Sequence, residues 1–467
     1  MAVDLRLEPG EIPLLTDFYQ LTMAASYFAI GYNDIASFNL TVRRMGPRRG
    51  FLVTAGLERF LEVLEQFRFE PAMIDYLDSL QLFQRDFLEF LAGLRFTGEV
   101  WAMPEGTIFF GEEPILEVRA PLIEAQLLET LAVNQIGMAS LIASKAARSY
   151  AVAGGRRLID FGLRRSQGAD AGLIAARSSY LAGFEGSSNV LAGRRYKIPL
   201  YGTMAHSFVM VHDHERDAFS NFARTFPKLT TLLVDTYDTV RGIENAAQVG
   251  LELQPLGITL RGVRLDSGDL ADLSRKARRI LDERGLKDVS IFASGNLDEY
   301  RIEELTEAKA PIDAFGVGTA MVVSLDAPAL DIAYKLAEYA GVPRLKTSQA
   351  KLSLPGRKQV FRAWNTSGSP IGDLIGLIEE SSETVLPEFK PSPARVTPLL
   401  SRQFAEGRRL PPQPTLAESR NTFLEGFARL GSDYKRIDRP ATYPVRQSAA
   451  LRALLISEKL RAESRQD

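Results

Sequence analysis

No cysteine occurs anywhere in the chain, and histidine is nearly as scarce, with three residues. The missing thiols exclude disulfides, thiolate nucleophiles and cysteine-ligated zinc, and they fit a reducing compartment. An excess of one charge is missing too. Lys plus Arg is 56 and Asp plus Glu is 58, a net charge of -2. That is no electrostatic footprint for nucleic acid or an anionic membrane. The segment Met1-Ala2-Val3-Asp4-Leu5-Arg6-Leu7-Glu8-Pro9 has no basic stretch followed by an apolar one, so no secretory signal is expected. No apolar run reaches the ~18 residues needed to span a bilayer. The remaining composition is ordinary for a globular protein, 45% apolar and 24% charged. A cytoplasmic chain of roughly two to four domains is expected, with neither nucleic acid nor membrane as partner.

The three histidines fall within nine residues: His206, His212 and His214. His206 sits in Gly202-Thr203-Met204-Ala205-His206-Ser207-Phe208, just after the apolar run Ile198-Pro199-Leu200-Tyr201. Imidazole suits neutral-pH proton transfer, phosphoryl acceptance and metal binding. With no thiol available, His206 becomes the first candidate for chemistry. An isolated histidine is more often merely packed or solvated, so its surroundings must decide.

The first third mixes helix and strand. A helix is expected over 14–30, with Thr16 as cap, Asp17 in the first turn and Gly31 after the end. A strand is expected over 35–42, helices over 58–67 and 83–94, and a long helical stretch over 122–153. From about 155 short apolar runs recur, each ending in small or polar residues. These are the runs at 157–162, 198–203, 232–236, 262–269, 291–296 and 315–319. Helices are expected between several of them, at 239–251, 270–284 and 297–308. Such units predict parallel βα structure, either a barrel or a doubly wound sheet. In a barrel the carboxyl ends of the strands carry the site. After about 345 the rhythm stops. A strand over 358–364 and helices over 416–430 and 447–463 are expected there, and the last few residues should fray.

Gly262-Val263-Arg264-Leu265-Asp266-Ser267-Gly268-Asp269 is the densest polar cluster. Arg264 and Asp266 alternate with apolar residues and so share one strand face. They could bind a carboxylate and a ribose or Mg²⁺; they could equally form a salt bridge beside a helix cap. Ser294-Gly295-Asn296 and Gly316-Val317-Gly318-Thr319 follow successive strands, where barrels often hold phosphate. Phe161 precedes Arg164 and Arg165, a place for a planar ligand to stack and a phosphate to pair. Asp235, after 232–234, could orient His206 or cap a helix. No Rossmann fingerprint and no P-loop is present.

Together these segments resemble the nicotinate phosphoribosyltransferase family. The resemblance covers most of the chain. It is carried by Leu15-Thr16-Asp17-Phe18-Tyr19-Gln20, the stretch 154–168, and Gly183-Phe184-Glu185-Gly186-Ser187-Ser188-Asn189 with its continuation to Gly193. Further blocks are 202–208, Asp235-Thr236-Tyr237-Asp238, 262–270, 316–319, Tyr334-Lys335-Leu336 and Leu354-Pro355-Gly356-Arg357-Lys358.

The resemblance implies an α/β fold: an irregular (β/α) barrel with a second α+β domain formed from both chain ends. The domains would be 1–135 and 346–467 at the ends, around a barrel at 136–345. It implies an ATP-coupled enzyme, formally a ligase, of pyridine nucleotide salvage. Nicotinate and phosphoribosyl pyrophosphate would give nicotinate mononucleotide and pyrophosphate, with Mg²⁺, and with ATP as co-substrate hydrolysed through a phosphohistidine. A homodimer with shared sites is also implied. By position, His206 resembles the phosphorylated histidine, and Tyr19 and Phe161 the two faces that sandwich the ring. Thr203 and Arg264 resemble the carboxylate-holding pair. Gly318 and Thr319 resemble the phosphate turn, to which Ser294, Gly295 and Arg165 are added. Asp235 and Asp266 would stand near ribose, Mg²⁺ or His206. Nicotinamide-using relatives place an Asp in the stretch matching Gly186-Ser187-Ser188; here Ser188 stands instead, which favours the acid. The alternatives are a nicotinamide phosphoribosyltransferase, or a sugar-phosphate lyase or isomerase with His206 as base. The latter lacks an obvious Schiff-base lysine at the strand ends.

Overall fold

A computed structural model describes residues 9–347 and 353–463. The expected frayed C-terminal residues lie outside the described ones, as does most of the segment read for a secretory signal. The chain divides into two compact units, Met1–Leu141 with Ala329–Asp467, and Ile142–Pro328.

Both chain ends build the first unit because their strands pair. Ile35–Val42, the strand expected there, lies antiparallel to both Pro114–Pro121 and Ile332–Tyr339 in a seven-stranded sheet. Ser401–Ala405 adds to Glu99–Ala102 in the same sheet. Phe38 stacks on Tyr334 at 4.9 Å, and the Tyr334 hydroxyl donates to the Ala125 carbonyl at 2.7 Å. These contacts draw the Ile332–Tyr339 strand to the chain ends, so the boundary expected at 345 moves back to 328. Lys358–Trp364, also as expected, sits in a separate four-stranded sheet with Arg395–Pro398, Pro370–Leu377 and Val445–Gln447.

At the N-terminal helix, Phe18–Ala29, the cap position is Asp17 rather than Thr16. Asp17 makes no side-chain cap bond; its carboxylate accepts instead from the Thr130 hydroxyl at 2.8 Å. Gly31, at φ +72, ends the helix as expected.

The stretch Leu122–Val152 is long and apolar enough to cross a membrane, contrary to the expectation that no segment would be. It forms two helices, Leu122–Leu127 and Glu129–Val152, and 72% of its most apolar window is buried within the folded chain. Its hydropathy is that of a core helix.

The second unit is α/β. Six strands lie parallel in the order Gly186–Ser187, Arg157–Asp160, Ala314–Val317, Ser290–Ala293, Gly262–Leu265, Thr231–Leu233. Helices Ala169–Leu181, Thr239–Leu253, Leu270–Glu283 and Glu299–Glu307 join successive strands. Five of the six expected runs are strands. The run at 198–203 is not; only Leu200 makes a bridge, parallel to Ser187. Among the described residues no ladder closes the gap between the two outer strands, which makes the barrel irregular.

Candidate active site

Parallel strands send all their carboxyl ends to one edge of the sheet. That edge carries Phe161, Ser188, Thr236, Asp266, Ser294 and Gly318, each just beyond its strand.

Arg264 is the hub. Its Nε donates to the Ser294 hydroxyl at 2.8 Å, and its Nη2 donates to Asp266 Oδ1 at 2.6 Å. Nη1 donates to Thr203 Oγ1 at 3.1 Å and to the Met204 carbonyl at 3.3 Å. A guanidinium has five N–H groups. These contacts engage all but one of them, on Nη2. The guanidinium carbon also lies 5.4 Å from the Phe161 ring centroid, within cation–π range. Arg264 is therefore held from several sides, and Thr203 stands beside it as expected.

Asp266 takes the other end of the pair. Its Oδ1 also accepts from the Ser294 hydroxyl at 2.5 Å, and its Oδ2 lies 3.7 Å from His206 Nε2. Burial pushes its carboxyl up, but the Ser294 hydrogen bond and the Arg264 guanidinium outweigh this and hold it below the usual aspartate range. The salt bridge and the helix cap, the plainer reading of this cluster, are both present. Asp269 caps Leu270–Glu283 by accepting from Ala271 and Asp272 backbone N–H groups. The added feature is His206, whose ring stands at the outer edge of the pair.

His206 opens the short helix His206–Met210 and leaves 42% of its side chain exposed. Its Nδ1 lies 3.2 Å from the Thr236 hydroxyl. Asp235 does not orient it, nor does it cap a helix. Its Oδ2 accepts from the Asp266 backbone N–H at 3.0 Å and from Ser267 Oγ at 2.6 Å, so it shapes the Asp266 loop. The following cap belongs to Asp238.

The expected phosphate residues separate into two groups. Ser294 is 2% exposed and its hydroxyl is committed to Arg264 and Asp266. Gly295 is a packing requirement: at φ +87, a Cβ there would lie 1.8 Å from the Asp266 carbonyl oxygen. These two build the Arg264 pair. Arg165, Gly318 and Thr319 stay accessible, Arg165 on the turn Leu163–Arg165 and Thr319 at the start of Thr319–Val322. Tyr19 lies on Phe18–Ala29 in the chain-end unit and is 48% exposed.

Four residues escaped the sequence reading. Thr236 meets His206, and its adjacency to Asp235 was the available signal. Phe292 sits beside Phe161 at 5.4 Å, and its strand register sets it level with Arg264. Gly316 makes room for both rings, since a Cβ there would come within 2.9 Å of each. Asp160 is buried at the strand end, where its carboxylate accepts from the Gly162 N–H at 2.8 Å and from Ser187 Oγ at 2.6 Å.

Among the described residues no group of three or more His, Asp or Glu could hold a metal. Asp235 Oδ1 is buried without a donor, and the Asp266 side chain is a quarter exposed. These two carboxylates fit a Mg²⁺ ion carried largely by phosphate oxygens, the usual mode for that ion, and not an all-protein cage.

The chain matches three family models: the N-terminal domain of nicotinate phosphoribosyltransferase at residues 14–137, the nicotinate phosphoribosyltransferase family at 156–351, and its C-terminal domain at 357–455. It is 47% identical over 434 residues to a nicotinate phosphoribosyltransferase of Mycobacterium tuberculosis, covering 92% of this chain and 90% of that one. The crystal structure of human nicotinic acid phosphoribosyltransferase superposes with a TM-score of 0.84 at 34% identity, covering 95% of this chain and 99% of that one. A nicotinate-nucleotide pyrophosphorylase from Pyrococcus furiosus gives a TM-score of 0.75 at 26% identity, over 92% and 99% of the two chains. With its Arg264 and His206 blocks inside the matched span, the chain belongs to the nicotinate phosphoribosyltransferase family.

Proposed function

We propose that this chain joins nicotinate to phosphoribosyl pyrophosphate, giving nicotinate mononucleotide and pyrophosphate in NAD salvage, with ATP hydrolysis coupled through His206. The observation that carries the reading is the fixed Arg264 guanidinium, with one N–H unclaimed and the Thr203 hydroxyl beside it. A carboxylate would take that N–H, and the Thr203 hydroxyl in exchange for its 3.3 Å bond to the Met204 carbonyl, a charge-assisted contact with defined geometry. Phe161 would cover one face of the pyridine ring. Tyr19 of a second copy would cover the other, in a homodimer with shared sites. The pyridine nitrogen would then attack the anomeric carbon as pyrophosphate leaves, through an oxocarbenium-like state of the kind seen in glycosyl transfer. Much of the catalysis comes from holding both reactants in line.

Mg²⁺ would neutralise charge on the leaving pyrophosphate. Arg165, Gly318 and Thr319 would meet the phosphates of the donor. His206 would accept the phosphoryl group of ATP on a ring nitrogen. Asp266, already neutralised by Arg264, would stand beside the ring without repelling the incoming phosphate. Ser188 favours the acid over nicotinamide as substrate. The absence of cysteine fits a cytoplasmic location.

Product analysis with nicotinate, phosphoribosyl pyrophosphate and Mg²⁺, with and without ATP, tests the reading. Nicotinate mononucleotide should form and should increase with ATP. His206→Ala should abolish the ATP stimulation and leave some ATP-independent synthesis; unchanged ATP hydrolysis during its turnover would remove His206 from the coupling role. Mixing inactive Tyr19→Ala and Arg264→Ala chains should restore about one good site per mixed dimer. No recovery after proven subunit exchange would place the two residues in one subunit's site, or Tyr19 outside it.

A further inference from the structure

Asp160 ends the strand Arg157–Asp160 and is 1% exposed. Its two acceptor contacts are the Gly162 N–H and the Ser187 hydroxyl. Burial raises its carboxyl above the usual range, those two hydrogen bonds oppose the rise, and no neighbouring cation offsets it. A buried carboxylate without a cation is costly, so a fold gains nothing from it by default. An apolar residue would suit a strand interior better.

What the carboxylate does is join two loops. Through the Gly162 N–H it closes a turn around Phe161, whose own N–H donates to the Val317 carbonyl at 2.8 Å. Val322 leaves no room for a side chain at Gly162, since a Cβ there would lie 2.0 Å from it. Through the Ser187 hydroxyl the carboxylate holds the second loop. Ser187 Oγ in turn accepts from the Asn189 backbone N–H at 3.0 Å, and the Ser188 N–H donates to the Asp160 carbonyl at 2.8 Å. Asn189 then caps Val190–Tyr196. Through its carboxylate and its backbone carbonyl, Asp160 thus ties the turn at Phe161 and the 186–189 turn into a single frame.

We infer that Asp160 is a positioning residue for the pyridine substrate, acting through Phe161 and the 186–189 turn without touching the substrate itself. The inference rests on the nicotinate reading above. It assigns Asp160 to the pyridine side of the site. The phosphoryl side, His206 with Thr236 and Asp266, shares no hydrogen bond with it.

Asp160→Ala leaves the Gly162 N–H unpaired and could fail to fold, so the test uses Asp160→Asn and Ser187→Ala. Asn keeps the volume and an acceptor for Gly162 but presents an NH₂ toward Ser187. Ser187→Ala removes the hydroxyl and leaves Asp160 in place. Steady-state kinetics with nicotinate and with phosphoribosyl pyrophosphate, labelling of His206 by ATP, and thermal midpoints are measured for both variants and the unmodified chain. Each variant should raise KM for nicotinate roughly tenfold, the scale of one charged hydrogen bond. KM for phosphoribosyl pyrophosphate and the His206 labelling should stay within about twofold. The double variant should fall short of the product of the two single effects, because both cut one link. An unchanged nicotinate KM in folded variants overturns the proposal, and so does an equal rise in both KM values. If the unmodified chain makes no mononucleotide from nicotinate, the substrate reading fails first and takes this inference with it.

Discussion

Two of the Arg–Asp pairs among the described residues, each beside an aromatic ring, lie in different units. In the chain-end unit Arg362 donates to both oxygens of Asp373, and its guanidinium carbon lies 5.4 Å from the Phe110 ring and 5.9 Å from the Tyr443 ring. In the α/β unit Arg264 pairs with Asp266 at the same distance from Phe161. The Arg362 pair is sealed, with side chains 6% and 0% exposed; the Arg264 pair is open, at 13% and 25%. Arg362 spends its remaining Nη1 contact on the Ile108 carbonyl, inside the fold. Arg264 keeps one N–H, a hydroxyl neighbour and a histidine at its edge. Residue types do not separate a sealed pair from an open one; access does.

The sealed pair should carry the larger stability effect. Arg362→Ala strands Asp373, with Glu113 buried beside it, and should cost about 3–5 kcal/mol in denaturant unfolding. A loss below about 1 kcal/mol would mean the pair is less isolated from water than its burial implies.

The open pair should show the reverse pattern. Asp266→Asn keeps an acceptor for Ser294 and Arg264 but removes the charge beside His206. It should lower kcat/KM roughly tenfold while changing stability by under about 1 kcal/mol. Loss of folding with activity per folded molecule intact would make this pair structural as well.

Smallest, and opposite in sign between the two regions, is the pH dependence. Asp266 titrates below its ordinary value in the folded chain, so its contribution is present above the unfolded value near 3.9 and is lost as pH falls below about 4. Glu113 is the contrary case. Burial, then the Asp373 charge, pushes its carboxyl up. The folded state therefore binds the extra proton, and stability declines as pH rises above the unfolded value near 4.3. Asp266→Asn should flatten the acid limb of a stability–pH curve, and Glu113→Gln the limb above it. Parallel curves for either variant and the unmodified chain would remove that residue from the titration.

Much of this was legible in the sequence where chemistry and periodicity agree. Arg264 and Asp266 share a strand face, and the structure joins them. The strand over 35–42 and the helix over 239–251 follow their apolar spacing, the helix running to Leu253. The failures have physical causes. Gly186–Ser187 pairs with Arg157–Asp160 although neither residue favours strands, because backbone partners on the neighbouring strand override propensity. The run at 198–203 looks like a strand but carries Pro199, which cannot donate to a ladder. The packing of Ser294 and Gly295 around Arg264 was not legible, because small residues serve close packing and anion binding alike. Asp160 was hidden inside an apolar run, and its role depends on Ser187, far away in sequence.

The most direct test of the account compares kcat/KM for nicotinate and for nicotinamide in the unmodified chain and in Arg264→Lys. Lysine keeps the charge but loses the planar fork, so nicotinate use should fall roughly ten- to hundredfold. Nicotinamide has no carboxylate, and its slower use should change less, narrowing the ratio between the two. An equal decline for both substrates would contradict the account and assign Arg264 to the phosphoribosyl donor or to the fold.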